Sequence, residues 1–210
     1  MSYFDDLTFR NEFVDDVQGW LWPKADNGGW DGPKKDWEAW HSHKYFEYVK
    51  NYNVCIQAGG NCGMYPRLLG RMFQVVYTFE PDPLNFHCLV NNCQLNNVIK
   101  INAALGDSHK MVVVNRKTMS NVGMHKVSED RTGAIPQFMI DDLALPTCDF
   151  ICLDVEDYEL SVLKGAVRTI HKFHPVISAE NGKAVEEFLG ELGYKRVDMS
   201  VADSIFIVEE

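Results

Sequence analysis

The sequence predicts an α/β protein with a Rossmann-like fold, in which helices cover both faces of a mainly parallel, seven-stranded sheet. Three observations support this prediction. From residue 53 onward, short apolar runs alternate with helical patterns, as in successive β-α-β units. A glycine-rich turn at 59–63 follows the first apolar run. Near the C-terminus, two apolar runs are separated by only a few residues, which makes them antiparallel neighbours because a parallel pair needs a crossover.

Each predicted element follows from its local pattern. Strands are expected at 53–58, 75–80, 98–103, 110–115, 149–154, 174–180, 194–199 and 203–208. Helices are expected at 63–72, 82–95, 156–171 and 183–192. The second helix has a clear start at Asp82-Pro83, since proline is tolerated in the first helical turn. The last two strands form the antiparallel pair at the end of the sheet.

The first 52 residues differ in character from the rest of the chain. They contain all five tryptophans: Trp20, Trp22, Trp30, Trp37 and Trp40. A helical pattern at 34–50 places the last two on an apolar stripe, which favours packing against the sheet. The other tryptophans stand among turn residues and favour a lid over a ligand. We therefore predict a tryptophan-rich cap or lid at 1–52 and one globular unit at 53–210.

Length and composition limit the cellular setting. The chain has 210 residues, 46% of them hydrophobic, enough for the core of one α/β domain. No apolar stretch reaches the ~20 residues that span a bilayer, and the first residues lack the pattern of a secretory signal. The six cysteines form no C-x-x-C pair and no zinc-ligand spacing. We therefore expect reduced thiols, no membrane partner and a cytoplasmic location.

The net charge argues against one class of partner. A formal charge of −10 repels phosphate backbones unless the basic residues share one face. The densest basic patches, at Lys24 and Lys34-Lys35, are interleaved with acids. We therefore expect no nucleic-acid substrate. Nothing in the sequence indicates an oligomeric state.

The glycine-rich turn and the acid after the next strand indicate a nucleoside site. Gly59 follows the first predicted strand, and Glu80 ends the second one 21 residues later, the spacing of one strand-helix-strand crossover. Glycines let the backbone turn sharply and approach a ligand, and an acid at this position binds ribose hydroxyls. The alternative is an ordinary tight turn with a solvated Glu80.

The turn lacks the pattern of a dinucleotide site. A pyrophosphate-binding turn needs glycine at positions i, i+2 and i+5. The later positions hold Asn61 and Met64 when counted from Gly59, and Cys62 and Tyr65 when counted from Gly60. Because neither register fits, the turn favours a ligand without phosphates, of which S-adenosylmethionine is the common one.

Four segments in order carry distinctive motifs. They are Gln57-Ala58-Gly59-Gly60-Asn61-Cys62-Gly63; Phe79-Glu80-Pro81-Asp82-Pro83-Leu84-Asn85-Phe86; Asn102-Ala103-Ala104-Leu105-Gly106-Asp107; and Ile151-Cys152-Leu153-Asp154-Val155-Glu156 with Glu159-Leu160 and Val162-Leu163-Lys164-Gly165-Ala166. Together with Ile140-Asp141-Asp142-Leu143, they resemble the motifs of FkbM-type S-adenosylmethionine-dependent methyltransferases. The resemblance covers about residues 53–180 and implies the class I methyltransferase fold, whereas the N-terminal segment matches no pattern of the family.

The resemblance also implies roles for the matched positions. The implied cofactor-binding residues are Gln57, Gly59, Gly60, Asn61, Gly63, Glu80, Pro81, Asp82, Ala104, Leu105 and Asp154. The turn would pass the methionine part of S-adenosylmethionine, Glu80 would bind the ribose, and the two residues after it would lie beside the adenosine. Ala104 and Leu105 would flank adenine. Asp154 and Glu156 would face the crevice at the carboxyl ends of the strands.

Two positions depart from the family pattern. Gln57 replaces the usual acid, so it accepts a hydrogen bond but places no negative charge near the sulfonium or ammonium group. This change weakens cofactor binding, transfers the role to another carboxylate, or marks a degenerate enzyme. Asp157 replaces the usual glycine, and an acid there suits a helix N-terminus.

Three residues are candidates for the proton acceptor that a hydroxyl substrate requires. Asp154 and Glu156 lie at a predicted strand end, and helix capping or dipole stabilisation are their alternative roles. They are also candidate ligands for a divalent cation such as Mg²⁺, although we assign no metal site. His125, in the irregular stretch 116–136, is the third candidate.

The sequence therefore predicts an S-adenosylmethionine-dependent methyltransferase that acts on a hydroxyl of a sugar or another small molecule. The acceptor rests on analogy with the family. An NAD-dependent oxidoreductase would share the β-α-β unit, but the glycine pattern and the antiparallel end disfavour it. A non-catalytic interaction module with the methyltransferase fold is the other alternative, supported by Gln57 and the small size.

Overall fold

The computed structural model describes residues 14–17, 19–26, 44–116, 121–129, 132–180, 182–200 and 203–209. Its strands are β1 (Val14–Val17), β2 (Trp20–Pro23), β3 (Val54–Ala58), β4 (Val75–Phe79), β5 (Val98–Ile101), β6 (Ala104–Leu105), β7 (Lys110–Asn115), β8 (Lys126–Ser128), β9 (Ile135–Phe138), β10 (Phe150–Leu153), β11 (Val176–Glu180), β12 (Tyr194–Ser200) and β13 (Asp203–Val208). Its α-helices are α1 (Met64–Met72), α2 (Pro83–Asn92), α3 (Glu159–Lys164), α4 (Val167–Phe173) and α5 (Lys183–Glu191). Short 3-10 helices cover Lys44–Glu47, Val122–Met124 and Ile140–Asp142.

The main sheet has the predicted topology. Within the described ranges it contains seven strands in the order β12-β13-β11-β10-β3-β4-β5. The five strands from β11 to β5 pair in parallel, whereas β13 runs antiparallel to both of its neighbours. The prediction of a mainly parallel sheet with an antiparallel strand near the C-terminus is confirmed.

Both faces of the sheet are covered by other elements. Successive residues of each central strand point to opposite faces, so neighbouring residues pack in different apolar clusters. Ile56 of β3 packs in one apolar cluster with Leu163, Ile170 and Leu189 from the C-terminal helices. Cys55 packs in another cluster with Leu69 of α1 and with Tyr45 of the 3-10 helix Lys44–Glu47. The two innermost strands, β3 and β10, are therefore apolar at every position except Gln57, as buried parallel strands are.

Two of the predicted elements need correction. The run 110–115 is a strand, but it joins a separate four-stranded sheet with the order β6-β9-β7-β8 in the described part of the chain. The predicted helix 156–171 is two helices, and the first begins only at Glu159. The break falls at Gly165, where a Cβ atom would lie 1.9 Å from the carbonyl oxygen of Gly106. The close approach of these two backbones prevents a continuous helix.

The N-terminal segment is described only in part. Trp30, Trp37, Trp40 and most of the helix predicted at 34–50 lie outside the described residues. Trp20 and Trp22 were expected in turns, but they lie in β2, which pairs with β1 in an antiparallel hairpin. These residues are extended because their backbone pairs with β1. A run as short as β2 has no residue pattern from which this pairing could be predicted. The boundary at residue 53 stays a prediction.

One side chain of α2 connects this hairpin to the core. The amide of Asn92 accepts from the backbone N–H of Leu21 at 2.7 Å and donates to the carbonyl oxygen of Leu21 at 2.8 Å. The same Nδ2 donates to the carbonyl oxygen of Cys62 in the glycine-rich turn at 2.7 Å. The hairpin therefore lies directly beside the turn. Over the described ranges, no helix combines the length and apolarity that crossing a membrane demands.

Candidate active site

A cavity of about 270 Å³ opens at the carboxyl ends of β3, β4 and β10. The glycine turn forms its floor, and the segments that follow β4 and β10 form two walls. The 3-10 helix Val122–Met124 and His125 form a third wall, and Trp22 closes the side next to the hairpin. Trp22 is 4% exposed, and its indole N–H donates to Asp26 at 2.7 Å.

Backbone contacts explain the glycines of the turn. Gly59 has a φ of +84°, and a Cβ atom there would lie 1.8 Å from the carbonyl oxygen of Asp154. The backbone N–H groups of Gly59 and Gly60 both donate to the carbonyl oxygen of Phe79, at 3.0 and 2.9 Å. Gly63, with a φ of 99°, is the N-cap of α1. The turn therefore brings β3, β4 and β10 together at the edge of the cavity.

Glu80 is the acid presented to this cavity. It is 5% exposed, and its two carboxylate oxygens accept from the backbone N–H groups of Asn61 at 2.7 Å and Asp82 at 2.8 Å. Burial raises the pKa of Glu80 to about 8 despite these two donors, which lower it. Pro81 lines the cavity beside it.

Gln57 lies beneath the turn rather than in the cavity wall. It is fully buried, its Nε2 donates to the carbonyl oxygen of Gly59 at 2.8 Å, and its Oε1 accepts from the Thr78 hydroxyl. A neutral amide makes both contacts, whereas a carboxylate has no N–H to donate to Gly59. Gln57 therefore supports the conformation of the turn.

Asp82 is also absent from the cavity surface. Its side chain is fully buried and caps α2 by accepting from the backbone N–H of Leu84 at 2.8 Å. Arg116 donates to both carboxylate oxygens, at 2.6 and 2.8 Å, and His125 Nδ1 lies 2.8 Å from Oδ2. Burial raises the pKa of Asp82, but the contacts with His125 and Arg116 outweigh it and lower the pKa to about 2.

Asp154 and Glu156 line the opposite wall. The side chain of Asp154 is exposed in the open cavity. Desolvation by the protein around the cavity, followed by the charges of Asp203 and Glu156, raises the pKa of Asp154 to about 7. Burial, followed by the charge of Glu180, also raises the pKa of Glu156.

Four buried polar atoms of residues that line the cavity have no hydrogen-bond partner among the described residues. They are Asn61 Oδ1, Asn85 Oδ1 and both ring nitrogens of His125, of which Nδ1 lies 2.8 Å from Asp82 without the alignment of a hydrogen bond. A buried polar group left without a partner costs about 1–3 kcal/mol. These atoms therefore fit a polar ligand with several donors, such as the ribose, amine and ammonium groups of a nucleoside-linked amino acid.

The remaining predicted positions lie elsewhere. Ala104 and Leu105 form β6 and are buried against the core, so the structure does not bring them to the cavity. Sequence reasoning missed Asn85 and Arg116. Asn85 stands three positions after the helix cap Asp82, which is a local signal, whereas Arg116 has none. In the described part of the chain, no three His, Cys, Asp or Glu side chains converge as metal ligands.

A comparison with known protein families identifies the family of this chain. A family model described as the methyltransferase FkbM domain matches residues 59–196. The chain belongs to the FkbM methyltransferase family. A curated relative, hexuronic acid methyltransferase AglP of Haloferax volcanii, is 27% identical over an alignment of 137 positions that covers 62% of this chain and 57% of that protein.

Solved structures agree on the fold. An FkbM methyltransferase from Methylobacillus flagellatus has a TM-score of 0.51 and 18% identity, covering 74% of this chain and 43% of that one. A ribosomal protein L11 methylase from Lactobacillus delbrueckii subsp. bulgaricus has a TM-score of 0.50 and 7% identity, covering 79% and 75%. The class I methyltransferase fold is confirmed. This FkbM chain spans 57% of the curated relative and 43% of the FkbM structure.

The backbone of this FkbM chain explains one departure from the family pattern. Asp157 has a φ of 71° and Glu156 a φ of 51°, so both lie in the left-handed region that glycine adopts most easily. The glycine usual at position 157 is thus explained by backbone conformation. The expectation that Asp157 stands in the first helical turn is wrong, because α3 begins at Glu159. Asp157 instead forms an ion pair with Lys126.

The raised pKa values of buried acids predict how the free energy of unfolding depends on pH. Burial, followed by the charge of Glu180, raises the pKa of Asp203 to about 7. An acid with a raised folded-state pKa stabilises the fold fully below its unfolded pKa, and this contribution is lost as pH rises towards 7. We expect the free energy of unfolding to fall between pH 5 and pH 8. Because one pKa unit corresponds to about 1.4 kcal/mol, Asp203→Asn should be more stable than the unaltered protein at pH 8 by about 2–4 kcal/mol.

Urea denaturation at pH 5 and pH 8 measures this effect. Asp198→Asn on the neighbouring β12 is the matched control, because contacts with the Met199 N–H and Lys44 lower the pKa of Asp198 instead. A gain of stability at pH 8 that is equal in the two variants, or absent from Asp203→Asn, would contradict the prediction.

Proposed function

We propose that the chain transfers a methyl group from S-adenosylmethionine to a hydroxyl group of a sugar or a similar small molecule. The observation that carries the proposal is the Glu80 carboxylate, held by two backbone N–H groups beside a glycine turn that borders the cavity. This arrangement suits two ribose hydroxyls, which need a common acceptor. When bound, S-adenosylmethionine supplies an already activated methyl group.

The residues around the cavity fit this donor. Gly59 and Gly60 border the cavity where the methionine part would lie, and Asn61 Oδ1 has no hydrogen-bond partner among the described residues. Asp154 also lies beside the turn, since its backbone carbonyl oxygen packs against Gly59 and its side chain lines the cavity. We infer that Asp154 pairs with the ammonium group and thereby replaces the acid that Gln57 lacks.

A hydroxylated acceptor is supported by the polar cavity wall and by the relative from Haloferax volcanii, whose name states a hexuronic acid substrate. Oxygen as the methylated atom is part of the proposal, because an oxygen carries the acidic proton of such an acceptor. The protein must hold the hydroxyl about 3 Å from the methyl carbon and exclude water. A side chain must also take the hydroxyl proton, and Asp154, Glu156 and His125 are the candidates that border the cavity.

Calorimetric titration with S-adenosylmethionine and S-adenosylhomocysteine tests the donor. We expect micromolar dissociation constants for both. Mass spectrometry after incubation with methyl glucoside, methyl galactoside, glucuronic acid or galacturonic acid tests the acceptor, with Mg²⁺ and with EDTA. Activity that survives EDTA would show that a protein base suffices. If neither nucleoside bound at millimolar concentration, the proposal would fail, and a non-catalytic interaction module would replace it.

A further inference from the structure

A buried carboxylate and a histidine form a pair in the wall of the proposed site. Asp82 Oδ2 lies 2.8 Å from His125 Nδ1. Arg116 holds the carboxylate from another side, and the backbone N–H of Leu84 donates to Oδ1. Asp82 has no exposed surface. It is therefore fixed in place behind the cavity wall, and its Oδ2 lies against His125, which lines the cavity.

The contact with Asp82 determines which ring nitrogen carries the proton. The carboxylate accepts hydrogen bonds but cannot donate while it is ionised, and its contacts with His125, Arg116 and the Leu84 N–H together hold its pKa at about 2. A lone pair on Nδ1 would repel it at 2.8 Å, so the neutral ring carries its proton on Nδ1 and its lone pair on Nε2. The two atoms lie within hydrogen-bond distance without the alignment of a hydrogen bond, so the bond forms when the ring turns towards Oδ2.

The other ring nitrogen is the reactive end. The His125 side chain is 6% exposed, and Nε2 is buried without a hydrogen-bond partner among the residues that the structure describes. His125 lines the same cavity as Glu80 and Asp154. Nε2 itself has almost no accessible surface, so it meets a ligand only when the ring turns towards the cavity, where the hydroxyl group of a sugar acceptor is the donor that it would accept from.

The segment that carries His125 is anchored on both sides. Before it, the carbonyl oxygen of Val122 accepts from Asn85 Nδ2 at 3.1 Å, and the N–H of Val122 donates to Asp26 at 3.4 Å. After it, Lys126 pairs with Asp157. These contacts hold the backbone on either side of His125 before any ligand binds, and the ring only has to turn about its own side-chain bonds.

We propose that His125 takes the proton of the acceptor hydroxyl and that Asp82 is the residue that positions it. This inference rests on the proposed function. The O–H bond of the acceptor breaks and its proton passes to Nε2, while the oxygen forms a bond to the methyl carbon. The electron pair of the carbon–sulfur bond stays on sulfur, which yields S-adenosylhomocysteine. The imidazolium is paired with Asp82 until it releases the proton to water.

The two acids of the opposite wall have a different role. Asp154 and Glu156 repel each other and also feel the charges of Glu180 and Asp203. Such a cluster favours the cationic groups of the donor over a proton relay. Asp154 also has no side-chain partner in the described part of the chain that would fix its direction.

Nitrogen-15 NMR of the histidine rings in the full-length protein tests the positioning without any acceptor. The seven histidines are assigned with His125→Gln, which removes one signal. We expect a protonated Nδ1 and an unprotonated Nε2, with and without S-adenosylhomocysteine. In Asp82→Asn the preference should be lost and both tautomers should appear. If Asp82→Asn does not fold, Arg116→Gln keeps the carboxylate and should keep the Nδ1–H tautomer.

Affinity and turnover test the catalytic role. His125→Ala should bind S-adenosylhomocysteine as tightly as the unaltered protein, while kcat falls by about 10²- to 10⁴-fold with little change in the KM of the acceptor. His109→Ala is the matched control, since His109 pairs with Asp142 and is 56% exposed. It should change neither quantity.

Two results would overturn the inference. One is a proton on Nε2, or a shift of its signal when S-adenosylhomocysteine binds. The other is an affinity that falls tenfold or more in His125→Ala, which would make His125 a cofactor contact. Absence of nucleoside binding to the unaltered protein would instead defeat the proposed function, and the tautomer would still be measured.

Discussion

Gly59→Ala is expected to abolish cofactor binding and to destabilise the protein by about 3 kcal/mol or more. The added Cβ atom would lie 1.8 Å from the backbone carbonyl oxygen of Asp154, and the φ of +84° is strained for any L-residue. Neither the strand end nor the turn moves without breaking the hydrogen bonds from Gly59 and Gly60 to Phe79. Thermal denaturation and calorimetric titration with S-adenosylhomocysteine measure the two effects.

Gly190→Ala is the matched control for this experiment. Gly190 lies in α5, and a Cβ atom there meets no atom within 4 Å. Alanine is favoured over glycine in a helix by up to about 1 kcal/mol, so this variant should be at least as stable as the unaltered protein. If Gly59→Ala kept both its melting temperature and its affinity, the close packing of the turn against β10 would be refuted.

Glu80→Gln is expected to weaken binding of S-adenosylmethionine by at least about 100-fold at pH 8. Hydrogen bonds to a charged group contribute about 1.5–3 kcal/mol each, and two ribose hydroxyls share this carboxylate. The amide also places an N–H group against the backbone N–H of Asn61 or Asp82, because both oxygens of Glu80 are occupied as acceptors. Circular dichroism confirms that the variant folds before its affinity is measured.

The same residue predicts that affinity depends on pH. Burial raises the pKa of Glu80 to about 8, so its charged form is scarce at pH 6.5 in the free protein. Because the hydroxyls bind the charged form, affinity should rise with pH, by about tenfold for each unit below the pKa. Titrations at pH 6.5, 7.5 and 8.5 measure this slope.

The slope should be smaller in Glu80→Gln, which has no carboxylate to ionise, and unchanged in the control Glu191→Gln on the exposed surface of α5. Affinity that falls with rising pH in the unaltered protein would contradict the role assigned to Glu80. Equal slopes in the unaltered protein and Glu80→Gln would assign the pH dependence to Asp154 instead.

The sequence predicts well what depends on neighbouring residues. The strand and helix order follows from apolar periodicity, and the cap at Asp82 follows from its place before Pro83. The antiparallel pair β12–β13 follows from the short link between its strands. These features depend on residues close together in the chain, so a short stretch of sequence is enough to predict them.

Features that depend on distant residues were not predicted. Helix 156–171 is broken because Gly165 meets the backbone of Gly106, which no local pattern reveals. Asp82 was assigned to the adenosine, yet Arg116, 34 residues away in sequence, and His125 occupy its carboxylate. The position of Gln57 was predicted from the motif, but its support of the Gly59 carbonyl depends on the conformation of the turn.

The hydrogen bonds of the Asn92 amide couple ligand binding to the stability of the N-terminal hairpin. It is shared between the backbone of Leu21 in the N-terminal hairpin and the carbonyl oxygen of Cys62 in the glycine turn. A ligand that binds only the ordered turn stabilises every contact that the ordered turn makes. A higher nucleoside concentration should therefore reduce how often the β1–β2 hairpin detaches from α2. Proteases should cleave the hairpin more slowly in the ligand-bound protein than in the free protein.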